Sequence, residues 1–163
     1  LMLAPQSSLI SLFEMSRNIG IYNTRFGVAL VNAAFRIPFA TFLIRSWFLS
    51  ISHEIEESAT IDGCSTLGIF FKIILPLSKP IIGSAVIVCT RAVWNDLMFS
   101  LVLLESDAYK TIPVGLVNMK SFTTTNWTVL MSGMVIASVP LILLFIALQK
   151  QFVRGLSAGS VKG

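Results

Sequence analysis

"TVLMSGMVIASVPLILLFIAL", Thr128 to Leu148, is a run of 21 residues without a charge. At 1.5 Å of rise per residue, a helix of that length covers the roughly 30 Å hydrocarbon core of a bilayer. Pro140 lies within it and would break a helix in water. In lipid, neighbouring helices can satisfy the carbonyl that the proline frees. The stretch reads as a transmembrane helix, so the solvent of this chain is lipid. Composition agrees: 55% of the 163 residues are hydrophobic and 12% charged, with a mean hydropathy of +0.82. A soluble domain carries about 25% charged residues, enough to cover its surface.

Two further stretches have the length to span. Phe26–Leu49 carries Arg36 and Arg45, and Ile81–Leu104 carries Arg91 and Asp96. An ionisable group at mid-depth costs at least about 2.5–3.5 kcal/mol, so such residues face a bundle interior or water. The expected architecture is all-α, a multi-pass transmembrane helical bundle with helices over about 26–49, 81–104 and 128–148. Leu1 to about Met15 reads as the end of an earlier helix and an interfacial segment. The chain opens "LMLAPQ", without an initiator Met or a signal peptide, and reads as starting in the middle of a protein.

The connections are Ser16–Arg25, with turn character, Ser50–Lys79, Glu105–Trp127, and a tail over 150–163. Three spans place Ser50–Lys79 and the tail on one side. Six basic residues lie there (Arg45, Lys72, Lys79, Lys150, Arg154, Lys162) against four opposite (Arg17, Arg25, Lys110, Lys120). The excess favours cytoplasmic placement of Ser50–Lys79. The net charge of +4 is scattered singly, with no basic run that suggests nucleic acid. Cys64, Cys89 and His53 are the only residues of their kinds and form no ligand cluster, so no metal and no cofactor is expected.

The polar interruption "IEESATIDGCSTLGIFFKIILPLSKP", Ile55 to Pro80, needs its own account. Ser52 can cap a helix whose first turns hold Glu54, Glu56 and Glu57, where the helix dipole favours anions. Asp62-Gly63 ends it, because glycine adopts the left-handed stop most readily. Ser65 starts a second short helix, stopped at Leu75-Pro76. Glu56 and Glu57 could be catalytic, a solvated helix start, or contacts of a docking piece. Catalysis needs a second group to divide acid and base roles. His53 shares a face with Glu57, yet no nucleophile or metal set joins them. Docking accounts best for the small residues.

Spacing then carries a resemblance. Glu57-Ser58-Ala59, three residues, Gly63, nine residues, Ile73, one residue and Leu75-Pro76 resemble the cytoplasmic E-A-A-x3-G-x9-I-x-L-P motif of permease subunits of binding-protein-dependent ABC importers. Ser58 replaces the first alanine. The flanking "LPLSKP", "WNDLMFSLVLL" and final "GLSAGSVKG" resemble the carbohydrate branch, and the maltose-type inner-membrane permease most of all. The resemblance implies a type I ABC importer fold in the bacterial inner membrane, with about six membrane helices of which the earliest would precede this chain. It implies that residues 52–79 form a coupling segment. In it Glu56, Glu57, Ser58, Ala59, Asp62, Gly63, Ile73, Leu75 and Pro76 would engage an ATPase subunit. Gly155, Leu156, Gly159, Lys162 and Gly163 of the tail would touch the same partner. The other implied partners are a second permease subunit, a second ATPase subunit and an extracytoplasmic sugar-binding protein. The permease is not an enzyme, and no G-x-x-x-x-G-K-[ST] loop for ATP occurs in it.

Trp94, Asn95 and Asp96 read either as a cluster lining a substrate path or as polar glue between helices. Arg36 and Arg91 depart from the family pattern, which has small or apolar residues there. They either snorkel to an interface or face the path and meet an anionic group. Transport of another solute such as a polyol phosphate is the nearest rival function. An intramembrane enzyme using Asp96 and His53 would need residues at different depths to meet. A membrane scaffold would need no motif at fixed spacing.

Overall fold

The computed structural model describes residues 5–120 and 125–160, with side chains over 7–120 and 125–151. Every regular element among them is helical. A 3-10 turn at Pro5–Ser8 leads into α1 (Leu9–Asn18), followed by α2 (Arg25–Phe48) and α3 (His53–Ile61). Then come α4 (Thr66–Ile69), a π turn (Phe70–Ile74), α5 (Leu75–Leu77) and α6 (Lys79–Trp94). The rest is α7 (Met98–Leu103), a 3-10 turn at Asp107–Tyr109, α8 (Ile112–Asn118) and α9 (Trp127–Ser160).

Arg25–Phe48 and Trp127–Gln151, of 24 and 25 residues, are long and apolar enough to cross a membrane. The expected single helix over 81–104 is not one helix. It stops at Trp94 and restarts at Met98. The reason is local: Asn95 Nδ2 donates to the Arg91 carbonyl at 2.8 Å. The Asp96 carboxylate accepts from the backbone N–H groups of Phe99 at 3.3 Å and Ser100 at 3.0 Å. Short polar side chains here offer the backbone an alternative to the helical ladder, and the ladder ends. At 16 residues α6 is only about 24 Å long. It becomes a candidate span together with Thr66–Leu77, from which it is bent by 61°. At the other end of the chain, α9 does not stop at Leu148. Its backbone continues to Ser160, through most of what reads as a separate tail.

The chain forms two compact units, Leu1–Phe39 with Thr90–Leu143, and Ala40–Cys89 with Leu144–Gly163. In the first, Val28, Val31, Phe99, Leu103 and Leu104 make a core that Leu9, Leu12 and Phe35 extend. Phe35 and Phe99 stack with centroids 5.0 Å apart. The entry to α2 is tight. Thr24 Oγ1 accepts from Gly27 N at 3.0 Å and donates to the Ile21 carbonyl at 2.6 Å. A Cβ on Gly27 would lie 2.2 Å from that same oxygen, so only glycine fits. Asn23, at a φ of +54°, uses its side-chain oxygen to hold Glu105 N at 3.0 Å and Ser106 N at 2.9 Å. In the second unit Ala59, Ile69 and Ile74 form a small core covered by Phe48, Ile51, Cys64 and Ile73.

Candidate functional site

The motif segment folds as two capped helices. Ser52 accepts from Glu54 N at 3.3 Å, and Ser65 accepts from Gly68 N at 3.2 Å. Gly63 has a φ of +80°. Its N–H donates to the Thr60 carbonyl and that of Cys64 to the Ala59 carbonyl, each at 3.0 Å. Those two bonds are the paired closure of a Schellman stop, and Cys64 packs against the small core of Ala59, Ile69 and Ile74.

The second short helix does not end at Leu75-Pro76 but runs on to Leu77. A proline inside a regular α-turn lacks an N–H and presses its ring on the carbonyl four residues back. Here the preceding turn is a π turn, with Leu75 N–H donating to the Phe70 carbonyl five residues back. The wider turn accommodates Pro76 without ending the helix. The true stop comes at Ser78, fully buried, whose hydroxyl donates to the Ile74 carbonyl at 2.7 Å.

The motif residues divide by exposure. Glu56, Glu57, Ser58 and Asp62 face outward, as do Gly63 and Pro76. Ile73 and Leu75 are half-buried, and Ala59 is buried at 5% exposure against Ile69 and Ile74. Ala59 thus packs α3 onto the core of its unit. The outward face has a feature that the motif does not name. Glu56, Glu57, Thr60 and Ile61 line one shallow depression, and Ile61 is 85% exposed. Leu67 and Phe71 stand exposed nearby in sequence. His53 and Glu56 approach to 3.8 Å.

Trp94 and Asn95 do come together on a cavity. It encloses about 410 Å³ between the end of α6, α8 and α9, within the 300–1,000 Å³ usual for ligand sites. Lys120 and Ser138 add polar groups to a wall that includes Leu116 and Met134. The Trp94 indole N–H donates to the Ala137 carbonyl at 3.0 Å and fixes the ring against α9. Lys120 was not singled out by sequence, because a lone lysine in a polar loop carries no local signal. Asp96 faces its own backbone and not this cavity. It is 8% exposed and accepts from Ser100 Oγ at 2.8 Å and Asn32 Nδ2 at 3.4 Å besides the two N–H groups. Arg91 is exposed on α6 and Arg36 half-buried on α2, and neither lines the cavity. Of the tail residues, Gly155, Leu156 and Gly159 lie on the α9 backbone, while Lys162 and Gly163 lie outside the described residues. No three His, Cys, Asp or Glu side chains gather among the described residues.

Residues 7–158 match the model of the binding-protein-dependent transport system inner membrane component. The chain belongs to that family. It is 46% identical over its whole length to the probable ABC transporter permease protein YurM of Bacillus subtilis, covering 54% of that protein. It is 37% identical, again over its whole length, to the galactooligosaccharides transport system permease protein GanQ of Bacillus subtilis, covering 58% of it. A solved crystal structure of a bacterial ABC transporter involved in the import of the acidic polysaccharide alginate contains a similar chain. That likeness has a TM-score of 0.69 at 29% identity and covers 88% of this chain and 55% of that one. The chain thus spans little more than half the length of these relatives. The expected helical fold and inner-membrane setting agree with the family and with the long apolar helices.

Proposed function

We propose that this protein forms part of the membrane path of an ABC importer for a sugar or oligosaccharide and couples that path to ATP hydrolysed on partner subunits. The observation that carries the reading is the folded motif segment. Its spacing builds two capped helices around a small private core, and leaves Glu56, Glu57 and Ile61 presented outward with little to hold them in their own chain. A mixed acidic and apolar face on a rigid support is suited to a groove in a soluble partner. We assign that partner as an ATPase subunit, with the tail residues near Gly155 and Lys162 as a second contact. A second permease subunit, a second ATPase and an extracytoplasmic sugar-binding protein complete the assembly. The sugar transport named for GanQ supports the substrate class. Trp94 and Asn95, with Lys120 and Ser138, supply the apolar ring face and hydrogen-bonding groups that a sugar needs, and form one wall of the path. The permease itself performs no chemistry.

The test is ATP hydrolysis by the intact complex in proteoliposomes with its binding protein, screened against sugars and polyol phosphates. Stimulation by an oligosaccharide is expected. Stimulation by a polyol phosphate alone would replace the substrate class, and the absence of any stimulated hydrolysis would remove the coupling role.

A further inference from the structure

The long helix α9 runs through Pro140 without a break. A proline has no N–H for the carbonyl four residues back, here that of Ile136, and its ring presses on that carbonyl. Side chains support this weakened turn on both sides. The Ser138 hydroxyl donates to the Val135 carbonyl at 2.7 Å, and the Trp94 indole N–H donates to the Ala137 carbonyl at 3.0 Å. Those two carbonyls flank the one that Pro140 leaves. The serine bond is local to α9, whereas the indole bond spans 43 residues of sequence and comes from the last residue of α6. Asn95 and Asp96 end α6 there through their own bonds to the backbone, which places the indole at the helix terminus.

Trp94, Ala137, Ser138 and Leu141 all line the 410 Å³ cavity. With Met134 the three α9 residues follow the spacing of one helix face, so the supported turn is the α9 wall of the cavity. The α8 wall is fixed by a close fit of its own, since a Cβ on Gly133 would lie 2.8 Å from Leu116 Cδ2. All these residues belong to one compact unit. An indole has one donor and no acceptor, so with its N–H taken Trp94 offers a ligand only its ring. We propose that Trp94 is a positioning residue for saccharide selection: its N–H holds α9 at the turn that Pro140 weakens, and so sets the width of the cavity. The inference rests on the sugar-import reading above and adds what selects saccharides by size. A role in folding alone predicts a different result, and the experiment separates the two.

The intact transporter with its binding protein is reconstituted in proteoliposomes as wild type, Trp94→Phe, Trp94→His, Pro140→Ala and the Trp94→Phe/Pro140→Ala double variant. Uptake is measured for the dimer and the tetramer of the saccharide class that best stimulates wild-type ATP hydrolysis. The readout is the tetramer-to-dimer ratio, which a mere loss of stable protein leaves unchanged. Trp94→Phe keeps a ring without the donor and should shift the ratio at least about threefold, and Trp94→His, with a ring N–H, should recover part of the shift. Pro140→Ala supplies the N–H for Ile136 and removes the need for the indole bond. In that background Trp94→Phe should change the ratio by less than about 1.5-fold. If Trp94→Phe fails to assemble, the double variant should assemble. An unchanged ratio in Trp94→Phe, an equal shift in both backgrounds, or failure of both Phe variants to assemble overturns the proposal while leaving sugar import standing. Stimulation by no saccharide removes both.

Discussion

Asp96 stands at the break between α6 and α7 with four donors on one carboxylate, which makes it an anchor of the helix start. Removing it takes the acceptor from two N–H groups and the Ser100 hydroxyl, each costing about 1–3 kcal/mol before relaxation, while the Asn32 amide keeps the Val28 carbonyl. Asp96→Ala should lower the melting temperature of the purified complex clearly, and Asp96→Asn, keeping one acceptor, by less. An unchanged melting temperature with altered sugar selectivity would instead give Asp96 a place on the substrate path. Gly63 poses a different question, since nothing lies within 4 Å of a Cβ there. The cost of Gly63→Ala is then conformational alone, about 1–2 kcal/mol for a left-handed residue. Gly63→Asn should recover part of it, because asparagine tolerates that region. Equal destabilisation by Ala and Asn would point to a steric demand from a docked partner.

Among the elements, α3 was legible because its signals are local. Ser52, Ser65 and Gly63 each act within a few residues of themselves, and the helices start and stop where they stand. The break at Asn95–Leu97 was not legible from a mostly apolar stretch of spanning length. Its signal was present in Asn95 and Asp96, which prefer helix termini, but hydropathy outweighed it. The passage of the chain through Pro76 was hidden for another reason. It depends on the π turn at Phe70–Ile74, and no residue type announces a π turn. The inward face of Ala59 follows from packing against Ile69 and Ile74, ten and fifteen residues on, which motif spacing does not express. The entry to α2 offers a check on packing at this scale. Gly27→Ala would drive a Cβ onto the Ile21 carbonyl, a backbone atom that cannot rotate away. A loss of at least about 1–3 kcal/mol is expected from the forced shift, read as a lower melting temperature. Unaltered stability would mean that the turn before α2 is looser than its hydrogen bonds imply.

At the scale of the whole molecule, the outward face of α3 is the place we propose for coupling ATP hydrolysis to the membrane helices. The most direct measurement is retention of the ATPase subunit on affinity-purified transporter carrying Glu57→Lys or Ile61→Asp. Both substitutions are on exposed positions and should leave the subunit folded in the membrane. Retention or sugar-stimulated hydrolysis should fall at least about tenfold in each, equivalent to 1.4 kcal/mol of lost docking. Arg91→Gln, on an exposed position in the other compact unit, should leave ATPase retention unchanged. Full retention and full stimulation in both α3 variants would contradict the account.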